Sequence, residues 1–398
     1  MQSIFDFEDL LDTVSLEDFK EQYWEKHHLF IQRQNKEFYK TLISINDFDK
    51  ILDLHRPTGL SLRVVKNQEL MDTNRYENPD GSLNLNHLYA GYADGYTLVV
   101  NEVNRYWEPL RQFCHNMQFR FNCKVVANMY LTPINQKALL PHYDTHDVYV
   151  VQIHGKKHWK IYDGDYKTPV LGSFQPIFQR DQLKNAQDIT VNAGDLLYIP
   201  RGVPHEAVTT DESSLHLTIG IYPTQWMDVA TKAIQQVAYS NLELRKALPI
   251  DYIQNISTQP DFIDNFERHF KQLLKENIEK ADIRLALGHI AEEFRMSHRP
   301  IADGHFLSLD AVEKITLDTE LIHREGMNRV YTQNTENATR IIFTGNVVKG
   351  PANIHSCFDF VANQKHAFKI SDIPLVNDNN KIKIAQRLIR GGLLRIIT

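Results

Sequence analysis

Between Cys123 and Tyr222 the chain repeats short segments in which apolar and polar residues alternate. An alternation of period two predicts β-strands with one buried face, and no long helical pattern separates these segments. We predict strands over 125–132, 147–154, 157–162, 189–191, 196–199 and 215–222, with a tight turn at Gly155 between the second and the third. Short strands at this spacing favour an antiparallel barrel or sandwich.

Helical patterns flank the strands. Ser15 is predicted to cap a helix that continues through Trp24, and Asn46 is predicted to begin another. Between residues 266 and 294 apolar residues recur at three- and four-residue steps among charged ones, which predicts an amphipathic helix. Its apolar face either packs on the core or forms a dimer contact. The chain is therefore predicted to be an α+β protein.

The last hundred residues combine helical and strand patterns after a boundary predicted at 298–300. The predicted elements are a helix over 310–317, strands over 329–332 and 340–343, a helix over 381–390 and a final strand over 393–397. Helices followed by a short β-wing favour a winged-helix arrangement. The predicted domains are thus 1–225 with the strands, 226–297 with the helical region, and 298–398.

The composition limits the partners of the chain. Its 398 residues carry a formal net charge of −6, which gives no global attraction to nucleic acid or to an anionic membrane. Three cysteines cannot build a disulfide framework, and the acidic N-terminus does not resemble a secretion signal. No run of about 18 apolar residues is present to span a bilayer. A cytoplasmic protein without nucleic-acid or membrane partners is therefore expected.

His142 and Asp144 form a pair of potential metal ligands at the start of a strand. In an extended chain residues i and i+2 point the same way, so the imidazole and the carboxylate can bind one ion. A third candidate, His205, follows a bend at Pro200 and Gly202, and it lies far enough along the chain to arrive from the opposite sheet of a barrel. Two imidazoles and one carboxylate on one face of an ion suit non-haem Fe(II) oxygenases. The alternative is that these side chains are held by ordinary hydrogen bonds.

Lys157 is the candidate for binding a second ligand beside this ion. In the strand over 157–162, Lys157, Trp159 and Ile161 share one face, and this apolar face is expected to point inward. A buried ammonium group requires an anion. A dicarboxylate cosubstrate is a suitable partner, and a salt bridge to a distant Asp or Glu is the alternative.

Three segments resemble the signature segments of a known family. They are 141–144 (PHYD), 155–162 (GKKHWKIY) and 194–205 (GDLLYIPRGVPH), and they are similar to those of the JmjC ribosomal oxygenases. The resemblance implies a double-stranded β-helix, the JmjC or cupin barrel, followed by a helical dimerisation region and a C-terminal winged-helix domain. It also implies a homodimeric 2-oxoglutarate-dependent dioxygenase that hydroxylates an arginine or a histidine of a ribosomal protein.

The resemblance further implies the cofactors and the residues that bind them. Fe(II) is expected at the three candidate ligands, with 2-oxoglutarate as cosubstrate and O2 as the oxidant. Lys157 matches the family position that pairs with the distal carboxylate of 2-oxoglutarate. Tyr130 and Thr218 match positions that add hydroxyl hydrogen bonds to the cosubstrate. The alternative is that both are ordinary strand residues.

Residues 145–147 (THD) depart from the family pattern, which has two acidic residues after the metal-binding pair. Because this region borders the substrate site, the identity of the substrate stays open. His146 is expected to be a solvent-facing turn residue, with a substrate contact as the alternative.

Other functions fit parts of the same sequence. Alternative substrates are a peptide natural-product precursor, a tRNA base and a methylated lysine. A different class is a non-catalytic cupin-like regulator whose winged helix binds DNA through the five basic residues of 381–398. A zinc-dependent cupin isomerase is a third alternative.

Overall fold

The alternating segments between Cys123 and Tyr222 build most of one large antiparallel sheet. The computed structural model describes residues 5–55, 61–164, 167–170, 173, 183–327 and 329–397. The chain divides into two units at Pro223 and Thr224. The first unit holds the large sheet, and the second holds helices and two smaller sheets.

The large sheet is organised around one long strand. Its strands are β1 (Leu29–Ile31), β2 (Leu62–Lys66), β3 (Glu69–Leu70), β4 (Thr97–Val100), β5 (Lys124–Thr132), β6 (Asp147–Asp163), β7 (Lys184–Asn192), β8 (Leu196–Ile199), β9 (His205–Val208) and β10 (Ser214–Tyr222). The main order is β1-β8-β6-β10-β5-β4-β2-β3. The first half of β6 pairs with β8 and β10, whereas its second half pairs with β7 and β9. β6 therefore takes part in two portions of the large sheet, as a strand does where a barrel turns a corner.

β6 is longer than predicted, because Gly155 bends the strand instead of ending it. The prediction of a tight turn between separate strands over 147–154 and 157–162 is wrong, since one strand runs through both. Gly155 has a φ of +63°, and a Cβ at this position would overlap the Ser213 carbonyl oxygen. A glycine satisfies both constraints. At this residue β6 passes from pairing with β10 to pairing with β7.

Successive residues of each strand point to opposite faces of the sheet and pack into two different hydrophobic cores. On one face Tyr149 and Leu217 pack among apolar side chains of the helices that precede the sheet in sequence. On the other face Val148, Trp159 and Val191 form a smaller cluster with residues from both halves of β6. The adjacent residues Val148 and Tyr149 thus belong to different cores, as an alternation of period two requires. The candidate site lies on the face of the smaller cluster.

The helices of the first unit are short. They are α1 (Phe7–Leu11), α2 (Leu16–Asp18), α3 (Ile45–Lys50), α4 (Leu85–Ala93) and α5 (Glu108–Phe121), and α2 continues into a π-helical turn over Phe19–Tyr23. Ser15 caps α2 as predicted, because its hydroxyl accepts a hydrogen bond from the Asp18 amide at 3.0 Å. The predicted start at Asn46 is slightly late. Ser44 is the N-cap of α3, and its amide donates to the Asp47 carboxylate at 3.0 Å.

The second unit is mainly helical at first and then mixed. Its helices are α6 (Trp226–Ser240), α7 (Tyr252–Thr258), α8 (Pro260–Ile278), α9 (Ile283–Ser297), α10 (Phe306–Ala311), α11 (His355–Ala362) and α12 (Asp378–Arg390). Its strands are β11 (Glu320–His323), β12 (Tyr331–Asn334), β13 (Ala338–Phe343), β14 (Asn346–Pro351), β15 (Phe368–Lys369) and β16 (Leu394–Ile396). They form two sheets, β15-β11-β16 and β12-β13-β14. Phe343, Phe358 and Leu388 lie in the core that these elements share.

Two helix predictions in this unit are wrong in detail. The apolar pattern over 266–294 predicts one helix, but it spans two, α8 and α9. A new helix begins after Asp282, whose carboxylate accepts a hydrogen bond from the Leu285 amide at 3.0 Å. Part of the expected core face is open, since Phe270 is 50% exposed and Ile278 53%. The helix expected over 310–317 is α10, which begins four residues earlier, after a turn in which Gly304 has positive φ.

No helix among the described residues is both long enough and apolar enough to cross a membrane. The three predicted domain ranges stay predictions.

Candidate active site

The two candidate histidines are neighbours through their backbones. The His142 amide donates to the His205 carbonyl at 3.1 Å, and the His205 amide donates to the His142 carbonyl at 2.8 Å. This reciprocal pair is an antiparallel bridge outside the named strands. The expectation that His205 arrives from the opposite sheet is therefore wrong. His205 begins β9, which pairs with β6, and the bridge places it directly beside His142.

Backbone carbonyls orient both imidazole rings. Nδ1 of His142 lies 2.7 Å from the Leu140 carbonyl oxygen, and Nδ1 of His205 lies 3.0 Å from the Val203 carbonyl oxygen. A carbonyl only accepts hydrogen bonds, so each ring carries its proton on Nδ1 and keeps the lone pair of Nε2 available. The His205 Nε2 lies 3.5 Å from an Asp144 carboxylate oxygen.

These three side chains form a cluster that fits a metal ion. One ligand atom from each of His142, Asp144 and His205 lies within 4.8 Å of the others. Burial, with His142 as the next cause, lowers the pKa of His205 to about 4, although Asp144 acts in the opposite direction. The ring is therefore neutral at pH 7, which is the form that binds a metal. Two nitrogens and one carboxylate oxygen on one side suit a divalent first-row ion with open positions, Fe(II) in particular.

A pocket of about 650 Å³, counted to its open mouth, adjoins the three side chains. It is lined by Asn128, Tyr130, Ala138, Leu139, His142, Asp144, His146, Val148, Lys157, Trp159, His205, Ala207, His216 and Thr218. The inner end holds Lys157 and His216, which are only 3% and 2% exposed. Asp144 is more open, with 22% of its side chain exposed. The pocket thus has a closed end with an amine and an open end beside the metal-binding cluster.

Lys157 lies in the pocket with a single hydroxyl as its described partner. Its Nζ donates to the Thr132 Oγ1 at 3.1 Å, and none of the ion pairs between described residues includes Lys157. Burial lowers the pKa of this amine to about 7. A buried ammonium without a carboxylate partner is unfavourable. The inner end of the pocket therefore suits a ligand that brings its own carboxylate.

Tyr130 and Thr218 also line the pocket. Burial, followed by the Asp144 charge, raises the pKa of Tyr130 to about 12. Tyr130 is therefore a neutral hydrogen-bond donor at physiological pH. The structure brings both residues to the same cavity as Lys157, while their part in binding a cosubstrate stays a prediction.

His216 is a site residue that the sequence reasoning missed. Its ring stacks on Tyr130 at 4.9 Å and meets Trp159 edge to face at 5.8 Å. The Nδ1 atom is buried and has no hydrogen-bond partner among the described residues. Burial, with Lys157 as the second cause, holds the pKa of this histidine well below its usual value. The sequence could have indicated His216, because it shares one face of the same strand with Thr218, which is a candidate site residue.

His146 is not the solvent-facing residue that we expect from the sequence. It is partly buried and lines the pocket, and its ring stacks on Tyr222 at 4.4 Å with an interplanar angle of 12°. The expectation fails because the turn after Asp144 folds over β10 instead of projecting from it. This arrangement could not be predicted from local sequence, since Tyr222 is distant along the chain.

Comparisons with known proteins identify the family of one segment. Residues 101–229, which include β5 to β10 and the whole metal-binding cluster, match the family model of the JmjC domain. This segment of the chain is thus a JmjC domain. The chain is 34% identical over 250 residues to a Drosophila grimshawi protein named bifunctional lysine-specific demethylase and histidyl-hydroxylase NO66, a match that covers 61% of this chain and 34% of that protein. It is 31% identical over 304 residues to ribosomal oxygenase 1 of Danio rerio, covering 72% of this chain and 55% of that protein.

The chain therefore spans about a third to a half of the length of these curated relatives. Among solved structures, the X-ray structure of E. coli ycfD is similar with a TM-score of 0.52 and 16% identity, covering 97% of this chain and 99% of that chain. At this identity the likeness concerns the fold alone. It confirms the predicted JmjC or cupin-type fold, with a large antiparallel sheet and helices.

Proposed function

We propose that this protein is an Fe(II)- and 2-oxoglutarate-dependent oxygenase that hydroxylates an amino-acid side chain of a polypeptide. One observation carries the proposal. His142, Asp144 and His205 converge beside a pocket whose closed end presents a buried amine without a carboxylate partner among the described residues. An ion with three open positions and a cavity for a dicarboxylate are the two requirements of this chemistry.

The residues divide into a metal-binding group and a cosubstrate-binding group. Nε2 of His142, Nε2 of His205 and the Asp144 carboxylate are the proposed ligands of Fe(II). Bound Fe(II), together with 2-oxoglutarate, supplies the activation of O2 that the insertion of oxygen into a C–H bond requires. The protein contributes the fixed orientation of its histidines and a cavity that excludes bulk water.

Lys157 is proposed to pair with the distal carboxylate of 2-oxoglutarate at the closed end. Tyr130 and Thr218 line the same pocket and offer hydroxyl groups to the same molecule. The zinc isomerase alternative is not favoured, because within the described chain the cluster includes only two histidines.

A ribosomal protein is the substrate that we propose to test first. The relatives named histidyl-hydroxylase and ribosomal oxygenase support a histidine in a ribosomal protein, and the resemblance of the signature segments adds an arginine. The relative named histidyl-hydroxylase is also named lysine-specific demethylase, so a methylated lysine is the substrate to test next. The outward-facing side of the JmjC pocket offers room for such a side chain, because the pocket is open at the Asp144 end.

The test is hydroxylation of ribosomal proteins by the purified full chain. Ribosomal proteins from cells lacking the gene are incubated with enzyme, Fe(II), 2-oxoglutarate and air, and mass spectrometry searches for the mass of one added oxygen atom. An Asp144→Ala enzyme is the control. Succinate formation is measured in the same samples. Modified peptides with wild-type enzyme alone support the proposal, whereas wild-type succinate formation by the Asp144→Ala enzyme would exclude the metal assignment. Succinate without any modified ribosomal peptide would direct the search to other peptides, including natural-product precursors.

We also propose that the helices of the second unit form a homodimer contact. Several large apolar side chains on these helices are exposed, which is unusual for a surface without a partner. They include Trp226, Tyr239, Ile253, Ile263, Phe270, Ile278, Ile283 and Leu287, with exposed fractions between 43% and 87%. A second copy of the chain is a suitable occupant, because a two-fold contact places the same apolar face on both sides.

The residues beyond α9 are proposed to form a winged-helix-like domain, with β12, β13 and β14 as the wing. Binding of DNA by this part is not supported. In α12 the apolar residues Ile384 and Leu388 are buried in the core, Lys381 donates to the Ser371 carbonyl, and Arg390 is paired with Glu313. We further propose a reducing, cytoplasmic location, in which the three unpaired, buried cysteines are stable.

A further inference from the structure

The ring of His146 is fixed at the open end of the pocket by two neighbours on β10. It stacks on Tyr222, with ring centroids 4.4 Å apart and planes 12° from parallel. Tyr222 has a further contact, because the Lys124 ammonium lies 5.4 Å from its ring centroid and the two residues are opposite each other in the sheet. The stack and the cation contact both restrict rotation of the Tyr222 ring.

Gly220 provides the space for this ring. A Cβ at residue 220 would lie 2.6 Å from Cδ2 and 2.9 Å from Nε2 of His146, which is closer than side chains approach in folded proteins. The absence of a side chain on β10 therefore allows the edge of the His146 ring to approach the strand. Gly220 and Tyr222 share the strand face that carries Thr218 and His216 deeper in the pocket.

The order of side chains along this face separates the pocket into two parts. His216, beside Lys157, lies at the closed end. Thr218 follows in the middle with Tyr130, and the His146 ring over Gly220 lies towards the open end. At the closed end, Lys157 is the proposed partner of the distal carboxylate of 2-oxoglutarate. The ring at the open end has no hydrogen bond to the described residues that would explain why it is held so firmly.

We propose that His146 is the wall against which the target side chain of the polypeptide substrate lies, and that Tyr222 and Gly220 are positioning residues for it. The inference rests on the proposed function, because it requires a polypeptide side chain to enter the pocket. A flat, fixed aromatic ring at the mouth suits a planar side chain that stacks, such as a guanidinium or an imidazole group. A branched aliphatic chain or an ammonium group on a flexible stem gains less from such a surface.

The experiment uses the full chain loaded with Zn(II) and 2-oxoglutarate, so that no turnover occurs. The probes are the N-acetyl methylamides of arginine, histidine, lysine and leucine, and saturation-transfer NMR measures their binding. We expect the arginine or the histidine compound to bind wild-type protein more tightly than the lysine and leucine compounds. His146→Ala should weaken that binding by about fivefold to tenfold, the effect of one lost stacking contact. His146→Phe, which keeps a flat ring, should remain within about threefold of wild type.

Two further variants separate a binding role from a structural one. Gly220→Ala keeps the histidine but displaces its ring, so it should weaken the same probe as His146→Ala does. His87→Ala, which removes an exposed histidine on α4, should leave binding unchanged. The inference is overturned if the leucine compound binds as well as the planar ones, if no planar probe binds wild type, or if His146→Ala binds the probes as wild type does.

The affinity for 2-oxoglutarate, measured on the same samples by calorimetry, reports on the proposed function independently. If wild-type protein does not bind 2-oxoglutarate, the proposed function fails whatever the probes do. If it binds 2-oxoglutarate equally in all variants and His146→Ala alters only the probes, the role of His146 is supported. A parallel loss of 2-oxoglutarate affinity in His146→Ala would assign the residue to the integrity of the pocket and contradict the inference.

Discussion

Two backbone carbonyls decide how His142 and His205 face the proposed metal. Each carbonyl belongs to the residue two positions before the histidine, so a short local hydrogen bond sets the tautomer of each ring. The reciprocal hydrogen bonds between the two residues fix the distance between their Cα atoms. The cluster is therefore formed by the backbone before any ion arrives, and removal of one side chain should alter the binding of metal more than the fold.

Removing the Asp144 carboxylate should abolish tight binding of the metal. Loss of a group that only hydrogen-bonds to a metal ligand already lowers affinity by about 10- to 100-fold, so loss of a ligand should lower it by more than about 100-fold. Anaerobic calorimetry with Fe(II) measures the effect for Asp144→Ala and His142→Ala. His154→Ala is the matched control, since this histidine lies on β6 and is exposed. Unchanged affinity in either ligand variant would contradict the assignment.

The buried amine of Lys157 makes the binding of 2-oxoglutarate sensitive to pH. Burial lowers the pKa of the amine to about 7, so above pH 7 the free protein holds it mainly in the neutral form. A bound carboxylate favours the ammonium form and raises its pKa. Binding above pH 7 therefore takes up a proton, and the affinity must fall as the pH rises.

We expect the dissociation constant of 2-oxoglutarate to rise by up to about tenfold per pH unit between pH 7.5 and 9. Calorimetry of the Zn(II)-loaded protein in buffers of different ionisation enthalpy measures both the affinity and the proton uptake. The matched control is Lys157→Arg, because an arginine stays charged over this range. A flat profile for wild type, or the same slope for Lys157→Arg, would show that the amine is not the titrating group.

The residues of the site differ in how much of their role the sequence predicts. Strand parity predicts that Lys157 and Trp159 share a face, and the structure places both in the pocket lining. Their partners depend on strand register, which local sequence does not contain. The hydroxyl of Thr132 reaches Lys157 only because β5 and β6 are both neighbours of β10. For the same reason local sequence does not predict the stack of His146 on Tyr222.

At the scale of elements, most strands were predictable and the bend in β6 was not. The strand patterns predict β5, β8 and β10 within one or two positions, because the apolar residues of these strands lie in the cores. Glycine is a common turn residue, so Gly155 indicated a turn. In the structure the positive φ of Gly155 instead lets β6 pass from pairing with β10 to pairing with β7. Whether such a glycine ends a strand or bends it depends on the residue that lies opposite, which here is Ser213.

Gly155→Ala should destabilise the first unit by more than about 2 kcal/mol, because the left-handed φ costs about 1–2 kcal/mol and the Cβ overlaps a carbonyl. Gly81→Ala is the matched control in the same unit. Gly81 has a φ of +78°, but nothing lies within 4 Å of an added Cβ. Urea unfolding followed by near-ultraviolet circular dichroism measures the free energy of unfolding of each variant. Equal losses in both variants would mean that the contact with Ser213 has no part in fixing β6.

At the scale of the whole molecule, the second unit combines a well-buried core beyond α9 with exposed apolar side chains on α8. Beyond α9 the core is closed, with Ile341, Phe358 and Leu388 at most 1% exposed. On α8, however, Phe270 and Ile278 remain about half exposed despite the regular apolar spacing of the sequence. The pattern therefore predicted helical structure, but neither the break between α8 and α9 nor what covers their apolar face. A chain that leaves such a face open in one copy is expected to cover it with another.

Substituting Phe270 should test that expectation directly. We expect wild-type protein to sediment at twice the 46.3 kDa mass of one chain, and Phe270→Glu to raise the dimer dissociation constant by about 30-fold or more, the effect of losing one central apolar anchor. Leu70→Glu is the matched control, because Leu70 is 59% exposed but lies on β3 of the first unit. Analytical ultracentrifugation across a range of micromolar concentrations measures both. A wild-type chain that stays monomeric, or equal weakening by the two substitutions, would remove α8 from the contact.

Since the metal-binding cluster lies wholly within the first unit, Phe270→Glu should retain Fe(II) affinity, and this separates loss of the dimer from loss of the fold.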